Sequence, residues 1–212
     1  MQMTSVMASL SRACEWIWRL AYINLLWILF TTLGLILFGI APATFAMFAV
    51  IRKWVMGEEE INVFQTFWKS YRSDFWKTNL LGWILIIGGF ILYIDFLFIG
   101  NFQGGYATLL SGLLILLSIL YLVICVYIFP VFSHYELKFF QYIKYAVHIG
   151  ITSPLSTILI GICALAVYYV VAFIPGITPF FSVSVLSYII MRLAYHSFCK
   201  VERKYTSYIE EA

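Results

Sequence analysis

RKWVMGEEEINVFQTFWKSYRSDFWK, residues 52–77, is an island of charge in an oily chain. Five basic and four acidic side chains are interleaved there with Phe, Trp and Tyr. The side of a membrane on which this island lies decides how everything else is threaded. That a membrane is involved follows from composition: 63% of the 212 residues are hydrophobic and 11% are charged, against roughly 45–50% and 25% in a soluble domain. A crossing takes about 20 apolar residues, so the length allows about six or seven spans and little extramembrane catalytic mass.

Apolar runs occur at residues 20–40, 80–99, 106–129, 151–174 and 180–195. A sixth segment, GIAPATFAMFAVIRKW at residues 39–54, is apolar but has 16 residues, which cover about 24 Å of helix. It is either a short crossing helix or half of a re-entrant hairpin. All thirteen Lys and Arg fall in four segments: Arg12 and Arg19; Arg52, Lys53, Lys69, Arg72 and Lys77; Lys138 and Lys144; Arg192, Lys200, Arg203 and Lys204. Positive charge in short loops favours the cytoplasmic side. If the chain returns to the cytoplasm after Pro42, every basic segment is inside. The expected architecture is therefore an all-α, polytopic transmembrane bundle in a single domain, 1–212, with both termini cytoplasmic. Six helices in three hairpins are predicted at about 16–40, 41–56, 78–99, 106–130, 150–174 and 177–198. The alternative is four full spans plus a re-entrant hairpin. GNFQGGY (residues 100–106) and IPGITP (residues 174–179) supply the Gly and Pro of the two outer turns. The opening apolar run is too long for a signal-peptide core and reads as a retained anchor.

Two amphipathic helices are expected at the inner surface, at about 60–76 and 133–148. In the first, Ile61, Phe64, Phe67, Trp68, Tyr71 and Phe75 fall on one arc, placing an aromatic face in the interface. Glu58, Glu59 and Glu60 precede its start, where the helix dipole favours carboxylates, and Gly57 ends the helix before it. In the second, His134, Lys138, Gln141, Lys144 and His148 share one face. Phe139, Phe140, Ile143, Ala146 and Val147 form the other, with Glu136 among the apolar residues.

Residues 20–82, LAYINLLWILFTTLGLILFGIAPATFAMFAVIRKWVMGEEEINVFQTFWKSYRSDFWKTNLLG, resemble the YesL family of bacterial membrane proteins. That family carries a Pro-Ala-Thr segment leading into Arg-Lys-Trp, a Gly-Glu turn and an aromatic Phe-Trp helix. Beyond Gly100 the resemblance rests on hydropathy. It implies a domain of unknown function in the cytoplasmic membrane. It also implies an accessory role in carbohydrate uptake, because members are often encoded beside components of sugar-import ABC transporters.

Polar groups inside a bilayer are the usual pointers to function. Asn24 and Asp95 stand out, together with Glu136 at the surface; each has a plainer reading, as a helix-to-helix hydrogen bond, a solvated interfacial carboxylate and a frayed helix start. Phe64, Phe67, Trp68, Lys69, Tyr71 and Arg72 mark the helix that seats in the interface or meets a partner. Glu15 and Arg19 are spaced for an i, i+4 pair. No nucleophile elbow, phosphate-binding loop, dinucleotide fingerprint or zinc-protease motif occurs, and Cys14, Cys125, Cys163 and Cys199 are too far apart for a metal or disulfide framework. No catalytic, cofactor or metal site is expected. The leading expectation is a non-enzymatic component that holds a partner, with sugar ABC importer subunits as the partner class and no nucleic acid. A small transporter or channel lined by Asp95 and Asn24 is the rival.

Overall fold

The computed structural model describes residues 2–100 and 105–210. They form α1 (Gln2–Leu33), α2 (Ile40–Val55), α3 (Val63–Ser73), α4 (Phe75–Ile99), α5 (Gly105–His134), α6 (Phe139–Thr152), α7 (Pro154–Phe173) and α8 (Thr178–Glu210), with a 3-10 turn at Pro175–Ile177 before α8. No strand occurs among the described residues. Five helices, α1, α4, α5, α7 and α8, are long and apolar enough to cross a bilayer. α2, at 16 residues, is not among them. The turn expected at residues 100–106 falls largely on 101–104, outside the described residues.

Two glycines set the first hairpin. A Cβ on Gly34 would lie 2.4 Å from the Gly39 Cα, and one on Gly39 would lie 2.3 Å from the Thr31 carbonyl oxygen, so no side chain fits at either position. α1 therefore stops at Leu33 rather than running to residue 40 as expected, and it begins at Gln2 rather than near 16. Leu35 and Ile36 take left-handed backbone angles, φ 57° and 62°. The N–H groups of residues 34–37, 39 and 40 all find acceptors within the turn.

α2 is apolar on nearly every side, and a helix of that kind belongs in an interior. Ala43, Ala46, Met47, Val50 and Ile51 are all fully buried, and α2 packs on α1, α3, α4, α5 and α8. Its small residues let neighbours approach, since Ala41 lies directly against Gly82 of α4. Arg52 and Lys53 occupy its last turn, where the helix dipole favours cations. Gly57, at φ 95°, then turns the chain away.

The aromatic helix departs from expectation in its bounds. It is shorter, starting at Val63 behind an Asn62 cap whose Oδ1 accepts from Gln65 N at 3.1 Å and ending at Ser73, so that Phe75 belongs to α4. The glutamates do not cap it. They lie before the cap, where Glu59 pairs with Arg19 at 3.3 Å and Glu58 with Lys53 at 3.6 Å. Part of its aromatic face is taken up by protein. Phe64, Phe67, Trp68 and Tyr71 surround Phe30 of α1, with ring centroids 5.1–6.3 Å apart. Phe67 and Tyr71 are buried, and the Tyr71 hydroxyl donates to the Phe30 carbonyl at 3.2 Å. A nearby protein surface satisfies both the rings and the hydroxyl, whereas lipid satisfies only the rings. The Glu15–Arg19 pair forms as the spacing predicted and is extended by Glu59.

At the second connection α5 continues through Pro130 to His134, and α6 begins only at Phe139. The expected helix at 133–148 is thus displaced, and its buried face is Tyr142, Ala146, Ile149 and Gly150, while Phe140 is exposed. A Cβ on Gly150 would collide with Val123 of α5, which marks how closely α6 lies against it.

Candidate functional site

The chemistry-bearing side chains gather where α2 ends, α3 meets α4, and α5 gives way to α6. A cavity of about 530 Å³ opens there, with Arg52, Asp74, Lys77, His134, Glu136 and Tyr142 in its wall. Each is placed by a local break in helical structure. Arg52 stands in the last turn of α2, Asp74 is the hinge between α3 and α4, and Lys77 follows within the first turn of α4. His134 closes α5, and Glu136 belongs to the non-helical link before α6. That link is fixed at its far end, where Leu137 N donates to the Tyr142 hydroxyl at 3.1 Å and Lys138 N to the Gln141 side-chain oxygen at 3.0 Å. Phe45 and Phe132, edge to face at 4.8 Å, supply an apolar wall.

Arg52 Nε donates to His134 Nδ1 at 3.2 Å, a geometry that requires His134 to be unprotonated at Nδ1 and to carry its proton on Nε2. The imidazole is held in turn against Tyr135 and against Tyr195 and Phe198 of α8, at centroid distances of 4.7, 5.8 and 4.9 Å. Asp74 is engaged twice, by Lys77 at 3.4 Å and by the Ser73 hydroxyl at 2.8 Å. Ser133, also in the wall, donates its hydroxyl to the Pro130 carbonyl at 2.9 Å. The arrangement presents a cationic fork, a fixed imidazole and carboxylate acceptors around an open space: a binding geometry for a small polar group.

The residues singled out in the sequence are dispersed. Asn24 is fully buried between α1 and α8, donating to the Pro179 carbonyl at 2.8 Å and accepting from Ser184 N at 3.0 Å, so both ends of its amide are committed to the backbone of α8. Asp95 lies far along α4, in a cleft of about 340 Å³ against Leu110, Leu113 and Leu114 of α5. Of the three polar candidates, Glu136 alone joins the cavity, and it is exposed. On α3, Lys69 and Arg72 are exposed, Phe64 and Trp68 half-exposed, and Phe67 and Tyr71 buried. Burial pushes the Tyr71 phenol above its ordinary value of 10.0. The four cysteines are free thiols. What the sequence reading missed is the cavity itself. Arg52, Lys77 and His134 were visible as charges and a histidine, but nothing in their spacing shows that helix ends so far apart in the chain would meet.

The fold and its polar end define a helical, polytopic membrane protein. A family model described as "Protein of unknown function, DUF624" matches residues 20–96. Three proteins of Bacillus subtilis strain 168 are similar over nearly their whole lengths. The uncharacterized protein YteU is 40% identical over 193 residues, covering 91% of this chain and 86% of YteU. The uncharacterized proteins YesL and YesV are 32% and 34% identical, covering 94% and 95% of this chain and 94% and 97% of their own. The chain belongs to the DUF624 family and is YesL-like throughout, well beyond the segment that carries the motif. No solved structure matches it.

Proposed function

We propose that this protein is a non-enzymatic, multi-pass component of the bacterial cytoplasmic membrane that serves a partner membrane protein through its polar end, in carbohydrate uptake. The observation that carries the reading is the convergence of charges from separate segments on one cavity, beside an α3 whose outer face offers Trp68, Lys69 and Arg72. Aromatic and Arg side chains presented together are the composition of interface anchors. The non-enzymatic part is carried over from the sequence, whose motifs point to no nucleophile elbow, phosphate-binding loop or zinc-protease site. The carbohydrate part rests on the family resemblance, whose members are often encoded beside sugar-importer components, and it makes subunits of such an importer the expected partner.

The threading belongs to the same proposal. α4, α5, α7 and α8 cross, both termini and the cavity face the cytoplasm, and the α1–α2 hairpin enters and returns without crossing. Three features support a buried hairpin tip. α2 is about 24 Å long, shorter than a roughly 30 Å hydrocarbon core. The tip residues Leu35, Ile36, Leu37 and Phe38 are all apolar and exposed, yet their turn satisfies most of its own backbone donors, as lipid requires. Phe38 also meets Trp83, eight residues into α4 from Phe75, at 5.9 Å. A transporter path lined by Asn24 and Asp95 is not favoured, because the two sit between different helix pairs.

The partner is tested by photo-crosslinking from Lys69 in native membranes of cells grown on a complex carbohydrate. Capture of an importer subunit supports the reading, and a monomer free of adducts there and after purification in mild detergent counts against it. For the threading, single cysteines are placed in a cysteine-free background. Ser70→Cys and Leu37→Cys should both resist membrane-impermeant thiol reagents in intact cells, while Gly176→Cys reacts. Labelling at Leu37→Cys would replace the buried hairpin with a full crossing.

A further inference from the structure

Arg52 differs from its basic neighbours in one respect. Arg19 is paired with Glu15 and Glu59, Lys53 with Glu58, and Lys77 with Asp74. Among the described residues no carboxylate lies within ion-pair distance of Arg52, although its side chain is partly buried in the wall of the cavity. Its Nε is spent on His134, which orients the guanidinium and leaves the two terminal NH2 groups as a fork. A partly desolvated cation without a counter-charge is unfavourable, and an anion that enters relieves it. The guanidinium fork matches two oxygens of a tetrahedral or planar oxyanion in a way that an ammonium group does not.

We propose that this cavity binds a phosphate-type oxyanion, with Arg52 as its anchor and His134 as the positioning residue that aims Arg52. The space, about 530 Å³, accommodates the anion together with a substituent, which Phe45 and Phe132 would flank. Asp74 does not oppose the anion, because Lys77 and the Ser73 hydroxyl already engage it. Glu136, exposed on the link at the mouth, carries the opposing charge and sets a limit on affinity. The same chemistry is available from two sources, the headgroup of an anionic lipid or a soluble phosphate. The inference does not depend on the partner reading and can fail separately from it.

The experiment uses the full chain, purified in detergent and in nanodiscs, with thermal unfolding as readout. Inorganic phosphate should raise the unfolding temperature saturably by a few degrees relative to chloride at equal ionic strength if the soluble source applies. Nanodiscs containing phosphatidylglycerol should do so relative to phosphatidylcholine alone if the headgroup applies. Either shift must vanish in Arg52→Gln and be reduced about tenfold in apparent affinity in Arg52→Lys, which keeps the charge and loses the fork. Glu136→Gln should bind several-fold tighter. The proposal is overturned if neither probe shifts the wild type, or if Arg52→Lys responds as the wild type does. It is overturned equally if Glu136→Gln and Arg52→Gln lose stability alike with no anion response, because Glu136 would then be the counter-charge of Arg52.

Discussion

α2 and α7 are both strongly apolar helices, and the molecule uses them in opposite ways. α2 is covered by protein on nearly all sides, whereas α7 exposes Leu155, Ile158, Leu159, Ile162, Leu165 and Tyr168 along its length. Hydropathy reports what leaves water and is silent on whether it enters protein or lipid. Length and end chemistry decide. A helix of 20 residues such as α7 can reach across a hydrocarbon core and satisfy its ends at the surfaces. α2, at 16 residues, covers about 24 Å, and its ends are completed by protein: a glycine turn on one side and the charged cavity on the other. Lipid offers α7 contacts as apolar as another helix would, so no hydrophobic force drives α7 inward.

The sharpest break of this comparison is a matched pair of isoleucines. Ile51 of α2 is 0% exposed and Ile162 of α7 is 58% exposed. Ile51→Ala leaves a cavity in the core and should cost about 2–5 kcal/mol in detergent unfolding. Ile162→Ala removes atoms from a largely exposed side chain and should change stability by less than about 0.5 kcal/mol. Equal losses would mean that α7 is covered in the native assembly.

The same contrast shows which parts of the fold were legible in the sequence. The long spans were, because the runs at 80–99, 151–174 and 180–195 each carry the whole signal locally. Gly57, as the stop of α2, and the Glu15–Arg19 pair were legible for the same reason. The aromatic helix was read half correctly. Its 3.6-residue periodicity gave the face of Phe67 and Tyr71, but periodicity does not say what a face meets, and here it meets Phe30 of α1, 37 positions before Phe67. The cavity was not legible, since Arg52 and His134 are brought together from 82 residues apart by packing rather than by any local pattern.

Polar groups extend the comparison on a smaller scale. Asn24 is enclosed by α1 and α8 and bonded at both ends, whereas Asp95 sits in an open cleft between α4 and α5. Asn24→Leu strands the Pro179 carbonyl and Ser184 N–H, and side-chain hydrogen bonds between membrane helices are worth about 0.6 kcal/mol, at most about 1.7. A loss in that range is expected, together with loosened packing of the start of α8, visible as faster hydrogen exchange there. Asp95→Asn should leave stability within about 0.5 kcal/mol of wild type. A larger effect at Asp95 than at Asn24 would reverse the assignment of which group is structural.

An effect of similar size concerns the joint between α3 and the hairpin. Tyr71 donates to the Phe30 carbonyl from a buried position, so Tyr71→Phe should cost about 1 kcal/mol near neutral pH while leaving the ring packing intact. The pH dependence has a definite sign. Burial raises the folded-state value of the phenol above the 10.0 of an unfolded chain, so the folded protein holds this proton when the unfolded one has begun to lose it. The stabilisation is complete below 10.0 and is lost as pH rises through the folded value. Wild type should therefore lose stability above pH 10.0 more steeply than Tyr71→Phe, the two curves converging as the phenol ionises. Parallel curves would show that the hydroxyl is solvated and that α3 is held to α1 by its rings alone.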